Sequence, residues 1–383
     1  MPKRIISLLL IILIISGLST VFAQDVLEIS APSAILIEMQ TGKVLYEKNA
    51  HDILPPASVT KVMTMLLIME AIDDGTLKYD DMVVASQRAK SMGGSTIFLD
   101  EGETLSVEDM LKGIAVASGN DASVAMAEHI SGSVEAFVEK MNKKAFELGM
   151  KDTNFVNCNG LDDDSVYNTT SAYDIALMSR ELMLKHSDIK KFTTIWMDSL
   201  RDGKFQLANT NKLVRFYDGA TGLKTGSTSK AKNCLSATAT RNGLSLIAVI
   251  MKAPTSKDRF SDASKLLNYG FGAYKIDNIV KKGEKVCAVK VKKGNEDEVS
   301  LIASDDYSYL TEKNNSKKIE KNVVVKDYYT APLKSNDKAG KLEIVSDGKV
   351  INEIDLVYEK NIQRKKLLIV FKDLILNWSG RRA

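Results

Sequence analysis

Cysteine and histidine are scarce in this 383-residue chain, which holds three of each. Cys158, Cys234 and Cys287 are an odd and widely spaced set, so they imply no disulfide framework and read as small buried hydrophobes. No Cys-x-x-Cys pair accompanies His51, His129 and His186, which leaves no recognisable zinc site. No cofactor motif is present, and no cofactor is expected. Charge of one sign is lacking too: 52 Lys and Arg stand against 49 Asp and Glu, and a net of +3 gives no overall basic footprint for nucleic acid. The chain has no repeat at a fixed period and no low-complexity segment.

What remains is an ordinary globular composition, 44% apolar, with length enough for two domains and at least one large core. Residues 1–23 read as an export signal: Lys3 and Arg4 start it, 5–15 is almost wholly apolar, and Val21-Phe22-Ala23 suits a small-residue cleavage site. That run falls short of the ~20 residues of a spanning helix, so cleavage is expected and the mature chain begins near Gln24.

From 34 to 48 the pattern is strand, tight turn, strand, with Gln40-Thr41-Gly42 at the turn. Pro55-Pro56 ends the extended segment, and 58–72, rich in Met and Leu, predicts a buried helix with Ser58 in its first turn. Helical periodicity dominates 85–201, notably over 107–116, 121–130, 134–148 and 171–184. Strands return from Thr221 and over 235–240 and 244–251, the last two joined by the hairpin signal Asn242-Gly243, and a helix over 261–269 closes the unit. Strand, helices, strand in that order predicts one sheet built from both ends of a domain spanning 24–275, with a helical insert. Short alternating segments such as 287–291 and 322–326 predict a separate small all-β domain over 276–360.

Basic charge gathers at the tail. Residues 361–383 hold Arg364, Lys365, Lys366, Lys372, Arg381 and Arg382 against Asp373, a net of +5 that leaves −2 upstream. Leu367, Val370, Phe371, Leu374, Ile375 and Trp378 share one helical face, which predicts a helix lying in an anionic membrane interface. Its apolar core is ten residues, about 15 Å as helix, too short to cross a ~30 Å hydrocarbon layer.

Three short motifs follow one another in the first domain: Ser58-Val59-Thr60-Lys61, Ser118-Gly119-Asn120 and Lys224-Thr225-Gly226. A Ser-x-x-Lys pattern also occurs at Ser187/Lys190, Ser227/Lys230 and Ser335/Lys338, so the first motif alone reads as a core helix from which Lys61 snorkels. Position adds weight, because residues three apart on a helix face the same side and a helix start presents free N–H groups. A serine hydroxyl needs a base, and a lysine serves only if burial drives its pKa down by something like three units. Val62, Met63, Met65 and Leu66 supply an apolar surround of that kind.

Together the motifs resemble the active-site set of the penicillin-binding proteins and serine β-lactamases. The segments beginning Thr41-Gly-Lys-Val-Leu, Pro55-Pro-Ala-Ser, Ala117-Ser-Gly-Asn-Asp, Asn209-Thr-Asn and Gly222-Leu-Lys-Thr-Gly are similar to the D-alanyl-D-alanine carboxypeptidases, with close resemblance over 32–274. The resemblance implies an antiparallel sheet flanked by helices with a helical subdomain, an α/β (α+β) fold, followed by a small all-β sandwich. It implies a serine carboxypeptidase of cell-wall biogenesis that removes the terminal D-Ala from peptidoglycan pentapeptide stems and is acylated by penicillin, exported to the outer face of the cytoplasmic membrane.

By the same resemblance Ser58 is the acylated nucleophile and Lys61 its base, while Ser118 and Asn120, on the turn between two helices, pass the proton to the leaving amine and hold the peptide. Lys224 and Thr225 bind the terminal carboxylate, and Gly226 leaves the strand bare for close approach of substrate. The backbone N–H groups of Ser58 and Ser227 form the oxyanion hole. Arg259 matches a family arginine near the carboxylate and Asp174 an aspartate tied to deacylation; a surface charge and a helix-start residue are the plain alternatives. For Ser118 the plain alternative is a helix cap. Lys232 stands where many members have Gly, and Asn168 where His is frequent.

Two rivals remain. A class A β-lactamase would hold its deacylating water with a Glu-x-x-Leu-Asn loop, yet no Glu-x-x-x-Asn occurs between Asn120 and Lys224. A non-catalytic penicillin-sensing protein would have lost catalytic groups, and here every one of them is present.

Overall fold

The computed structural model describes residues 27–162, 165–314 and 318–366. The expected export signal and residues 367–383 of the expected tail helix lie outside the described residues.

A five-stranded antiparallel sheet organises the first domain: β1 (Ser33–Glu38), β2 (Val44–Lys48), β3 (Ala220–Thr228), β4 (Lys232–Arg241) and β5 (Leu244–Ala253), in the spatial order β2-β1-β5-β4-β3. Both faces are covered, so β1 is buried at all six positions. The pleat sends Ile35, Ile37, Ile247 and Val249 into a large core on one face, and Leu36, Leu246, Ala248 and Ile250 into a second core on the other. The chain ends of the domain meet in the middle of this sheet, where β1 pairs with β5.

Turn chemistry agrees with the sequence. Asn242 and Gly243 take φ of 50° and 81°, as a two-residue hairpin loop requires. At the β1–β2 turn the fully buried Glu38 carboxylate accepts from the N–H groups of Gln40 and Thr41, at 2.9 and 2.7 Å.

Helix α1 (Lys61–Asp73) is buried almost all round, as its unbroken apolar run demands. Around it pack α2 (Val107–Ala115), α3 (Asn120–Ser131), α4 (Val134–Glu147) and α5 (Ala172–Lys185), while α6 (Ser256–Ala273) covers the other face. Ser106, Ser133, Ser171 and Thr255 each accept from the N–H three residues on, which sets where α2, α4, α5 and α6 begin.

The structure differs from expectation in two places. α6 runs well past 261–269, because Gly270 is a contact and no stop: a Cβ there would lie 2.6 Å from Leu246. In and beside the mainly helical middle lie two small antiparallel strand pairs, Met82–Val84 with Thr104–Ser106 and Met197–Leu200 with Phe205–Ala208, whose strands are too short to show a period of two.

The second domain has its own core, including Val289, Leu301, Ile344 and Leu356, between a six-stranded sheet and the pair Tyr274–Val280 with Tyr307–Glu312. A further correction falls at its end. Residues 361–366 do not begin a helix: Ile362 bridges to Leu333 and Arg364 to Gly294, and Arg364 Nε donates to the Ala331 carbonyl at 2.9 Å.

Candidate active site

Ser58 lies in a 3-10 turn, Ala57–Thr60, that runs directly into α1. Ala57 takes φ of 49°, which turns the chain sharply and leaves Ser58 half-buried at the helix start. Lys61 is fully buried, and its Nζ donates to Ser58 Oγ at 2.9 Å, Asn120 Oδ1 at 2.6 Å and the Asn159 carbonyl at 2.7 Å. Burial lowers the Lys61 pKa to about 7. A neutral amine there keeps its two protons on Asn120 and Asn159 and turns its lone pair to Ser58 Oγ.

Asn120 is fixed in turn, because its Nδ2 donates to the Gly93 carbonyl at 2.7 Å and so only Oδ1 can face Lys61. Ser118 is 4% exposed and takes φ of 65°, unusual for a residue with a side chain. It is not a helix cap: Gly119 holds that position in α3, with no side-chain cap. The next residue, Asp121, accepts from the N–H groups of Ile97 and Leu99, binding the 93–99 loop against the motif.

On β3 the Lys224 side chain is buried, with Nζ donating to the Thr225 carbonyl at 3.0 Å. Burial, then the positive charges of Lys61 and Arg259, hold its pKa well below the ordinary lysine value. An anion arriving there reverses that balance. Thr225 Oγ1 is 2.7 Å from Thr210 Oγ1. At Gly226 a Cβ would sit 2.5 Å from the Pro56 carbonyl and 3.0 Å from Ser58 N. Its bareness lets β3 close on the nucleophile turn. Ser227, the next residue, is exposed at the edge of this approach.

Arg259 is no surface charge. It is 8% exposed, donates through Nη1 to the Gly226 carbonyl at 3.0 Å and through Nη2 to Ser256 Oγ at 3.2 Å, and keeps a buried Nε without a partner among the described residues. Asp174 is drawn elsewhere: its Oδ2 accepts from Asp152 N at 2.8 Å and Thr153 Oγ1 at 2.7 Å, and its N–H is capped by Ser171. Burial raises its pKa.

The pattern of D-alanyl-D-alanine carboxypeptidases matches residues 20–255, and that of the penicillin-binding protein 5 C-terminal domain matches 274–364. The D-alanyl-D-alanine carboxypeptidase DacF of Bacillus subtilis is 45% identical over 388 aligned positions, which take in 98% of this chain and 99% of the relative. The chain belongs to the D-alanyl-D-alanine carboxypeptidase family. Penicillin-binding protein 5 from Haemophilus influenzae superposes with a TM-score of 0.71 at 32% identity, covering 88% of this chain and 98% of that one. Penicillin-binding protein D2 from Listeria monocytogenes, in its ampicillin-bound form, gives 0.59 at 32% identity over 63% of this chain and 98% of that one.

Two departures from the carboxypeptidase pattern now have a structural setting. Lys232 takes φ of 53° where β3 turns into β4, a conformation that the frequent glycine adopts without strain. Asn168 is 2% exposed and ties the segment 156–157 to Thr60. The three cysteines are free, with Cys158 and Cys234 buried. Sequence reasoning missed Asn159 and Gly160, which act through the main chain, and Thr210, whose hydroxyl meets Thr225. No described helix is long and apolar enough to cross a membrane.

Proposed function

We propose that this carboxypeptidase works through an acyl-enzyme on Ser58, removing the terminal D-Ala from peptidoglycan pentapeptide stems, and that penicillin acylates the same hydroxyl. The observation that carries this reading is the Lys61 amine, dry, near neutral in its titration and 2.9 Å from Ser58 Oγ.

In this reading Lys61 takes the Ser58 proton as Oγ attacks the carbonyl of the penultimate residue. The N–H groups of Ser58 and Ser227 hold the oxyanion. Collapse breaks the peptide bond, and Ser118 relays the proton to the departing D-Ala amine. Water then attacks the ester as Lys61 takes its proton; when the acyl–oxygen bond breaks, Lys61 returns that proton to Ser58 Oγ, and the acid product ionises to a carboxylate. Lys224 and Thr225 receive the terminal carboxylate, while Arg259, bonded to the Gly226 carbonyl, braces the strand that presents them and adds charge behind it. Asp174 does its work by holding residues 152–153.

The test incubates the mature protein with a peptide ending in D-Ala-D-Ala, with its C-terminal amide, and with labelled penicillin. The acid releases D-Ala, the amide reacts far more slowly, and mass mapping places the adduct on Ser58. An adduct on any other serine overturns the assignment.

We also propose that the enzyme is exported and rests on the membrane through its tail, on the strength of the signal-like 1–23 and the basic, one-faced 361–383. Because Ile362 and Arg364 belong to the β-domain, the informative truncation ends at Lys366. That chain keeps D-Ala release and no longer sediments with anionic vesicles at low salt; equal sedimentation of both forms overturns the proposal.

A further inference from the structure

We propose that Asn168 is a positioning residue for the nucleophile and its base, clamping the segment that offers the Asn159 carbonyl onto the turn that carries Ser58. The inference rests on Lys61 being the base, and nothing in the three motifs points to it.

The geometry is that of a two-sided clamp. On one side Asn168 Oδ1 accepts from Val156 N at 2.7 Å and Asn157 N at 3.0 Å. On the other its Nδ2 donates to Thr60 Oγ1 at 2.9 Å, the residue just before Lys61. Nδ2 also lies 3.1 Å from the Asn157 carbonyl and 3.2 Å from Asn157 Oδ1. With Oδ1 committed to two N–H donors, the amide orientation is fixed and Nδ2 must face the threonine.

The hold passes onward along the segment. Asn157 Oδ1 accepts from Gly160 N at 2.7 Å and Asn159 N at 3.3 Å. Asn159 then gives its carbonyl to Lys61, and Gly160 lies against Ala57. One amide therefore ties both neighbours of the Ser58–Lys61 pair into a single body. Thr60 and Asn168 are buried, so this clamp does not compete with bulk water.

Lys61 stays near neutral because the closed segment keeps water from Nζ. The titratable groups facing it are Cys158, Asp121 and Lys224. Burial pushes the Cys158 thiol up to about 12, so it carries no charge near neutral pH. Asp121 and Lys224 lie on other elements, and Cys158, which moves with the clamped segment, is uncharged, so loosening the clamp changes the hydration of Lys61 without moving a charge beside it.

The experiment measures the second-order rate of acylation by labelled penicillin between about pH 5 and 10 for the full chain and for Asn168→Ala, Thr60→Val and Thr60→Ser. In the wild type the rate falls on the acid side of about 7. In Asn168→Ala that limb moves up by about one pH unit or more, so the rate at neutral pH drops roughly tenfold and much of it returns in alkali. Thr60→Val removes one arm of the clamp and moves the limb less, in the same direction; Thr60→Ser, which restores a hydroxyl, brings it back. Loss of stability alone lowers the active fraction without moving the limb. Folded Asn168→Ala with the limb unmoved overturns the proposal, and if that variant does not fold, an unmoved limb in Thr60→Val does so. A wild type with no limb near 7, or one that persists in Lys61→Ala, overturns the base assignment instead.

Discussion

Replacing Lys61 by Ala slows acylation of Ser58 by penicillin by about 10² to 10⁴-fold, the usual worth of a positioned general base, while the chain stays folded. The sign of the pH dependence follows from the state that works. Only the neutral amine accepts the serine proton, and burial sets its pKa to about 7. Below that value the wild-type rate falls tenfold for each pH unit, and above it the rate levels. In Lys61→Ala this limb disappears along with most of the rate. Lys61→Arg does not restore either at any pH, because a guanidinium does not lose its proton in this range. Rapid-mixing measurements with labelled penicillin decide the matter: an acid limb that survives in Lys61→Ala transfers the role of base to another group.

The parts of the site legible in the sequence are those where a side chain acts at fixed spacing along one element. Ser58 and Lys61 are three apart, and the 3-10 turn followed by α1 keeps them on one face at 2.9 Å. The Lys224-Thr225-Gly226 strand could be placed because the two strands that follow it are joined by the Asn242-Gly243 hairpin signal and the second, β5, is almost wholly apolar. Two kinds of information were hidden. Main-chain groups carry no signature, so the Asn159 carbonyl that holds Lys61 could be any residue's. Side chains whose setting depends on what folds against them were readable only as matches: that Gly226 also seats the Ser58 turn, and that the Asp174 carboxylate also holds residues 152–153, has no mark in one dimension. The fold shows the same division. Long periodic helices were placed within a few residues, whereas α6 extends beyond 261–269 at both ends: the Thr255 cap starts it at Ser256, and Gly270, packed on Leu246, lies within it.

Gly160→Ala is the other substitution with a large expected effect, and it leaves every motif residue in place in the sequence. Gly160 takes φ of 79°, and a Cβ there would fall on the Ala57 carbonyl and lie 2.8 Å from Thr60 Oγ1. Neither obstacle is the flexible end of a long side chain. The Ala57 carbonyl is main chain in a turn already at positive φ, and Thr60 is buried. Something must move, and both possible movements harm the same pair: shifting 157–160 takes the Asn159 carbonyl from Lys61, and shifting 57–60 takes Ser58 from it. Left-handed alanine costs about 1–2 kcal/mol, and overpacking a tight contact adds about 1–3 kcal/mol. Gly75→Ala separates these two contributions. Gly75 has the same φ of 79°, but a Cβ there meets nothing within 4 Å. It therefore bears the backbone cost alone and acylates at the wild-type rate. Gly160→Ala melts lower still and loses acylation by about 10²-fold or more, as a base displaced from its nucleophile requires. Equal acylation rates in the two variants, measured at a temperature where both are folded, would mean that the close approach of Gly160 to Ala57 is not what holds Ser58 and Lys61 together.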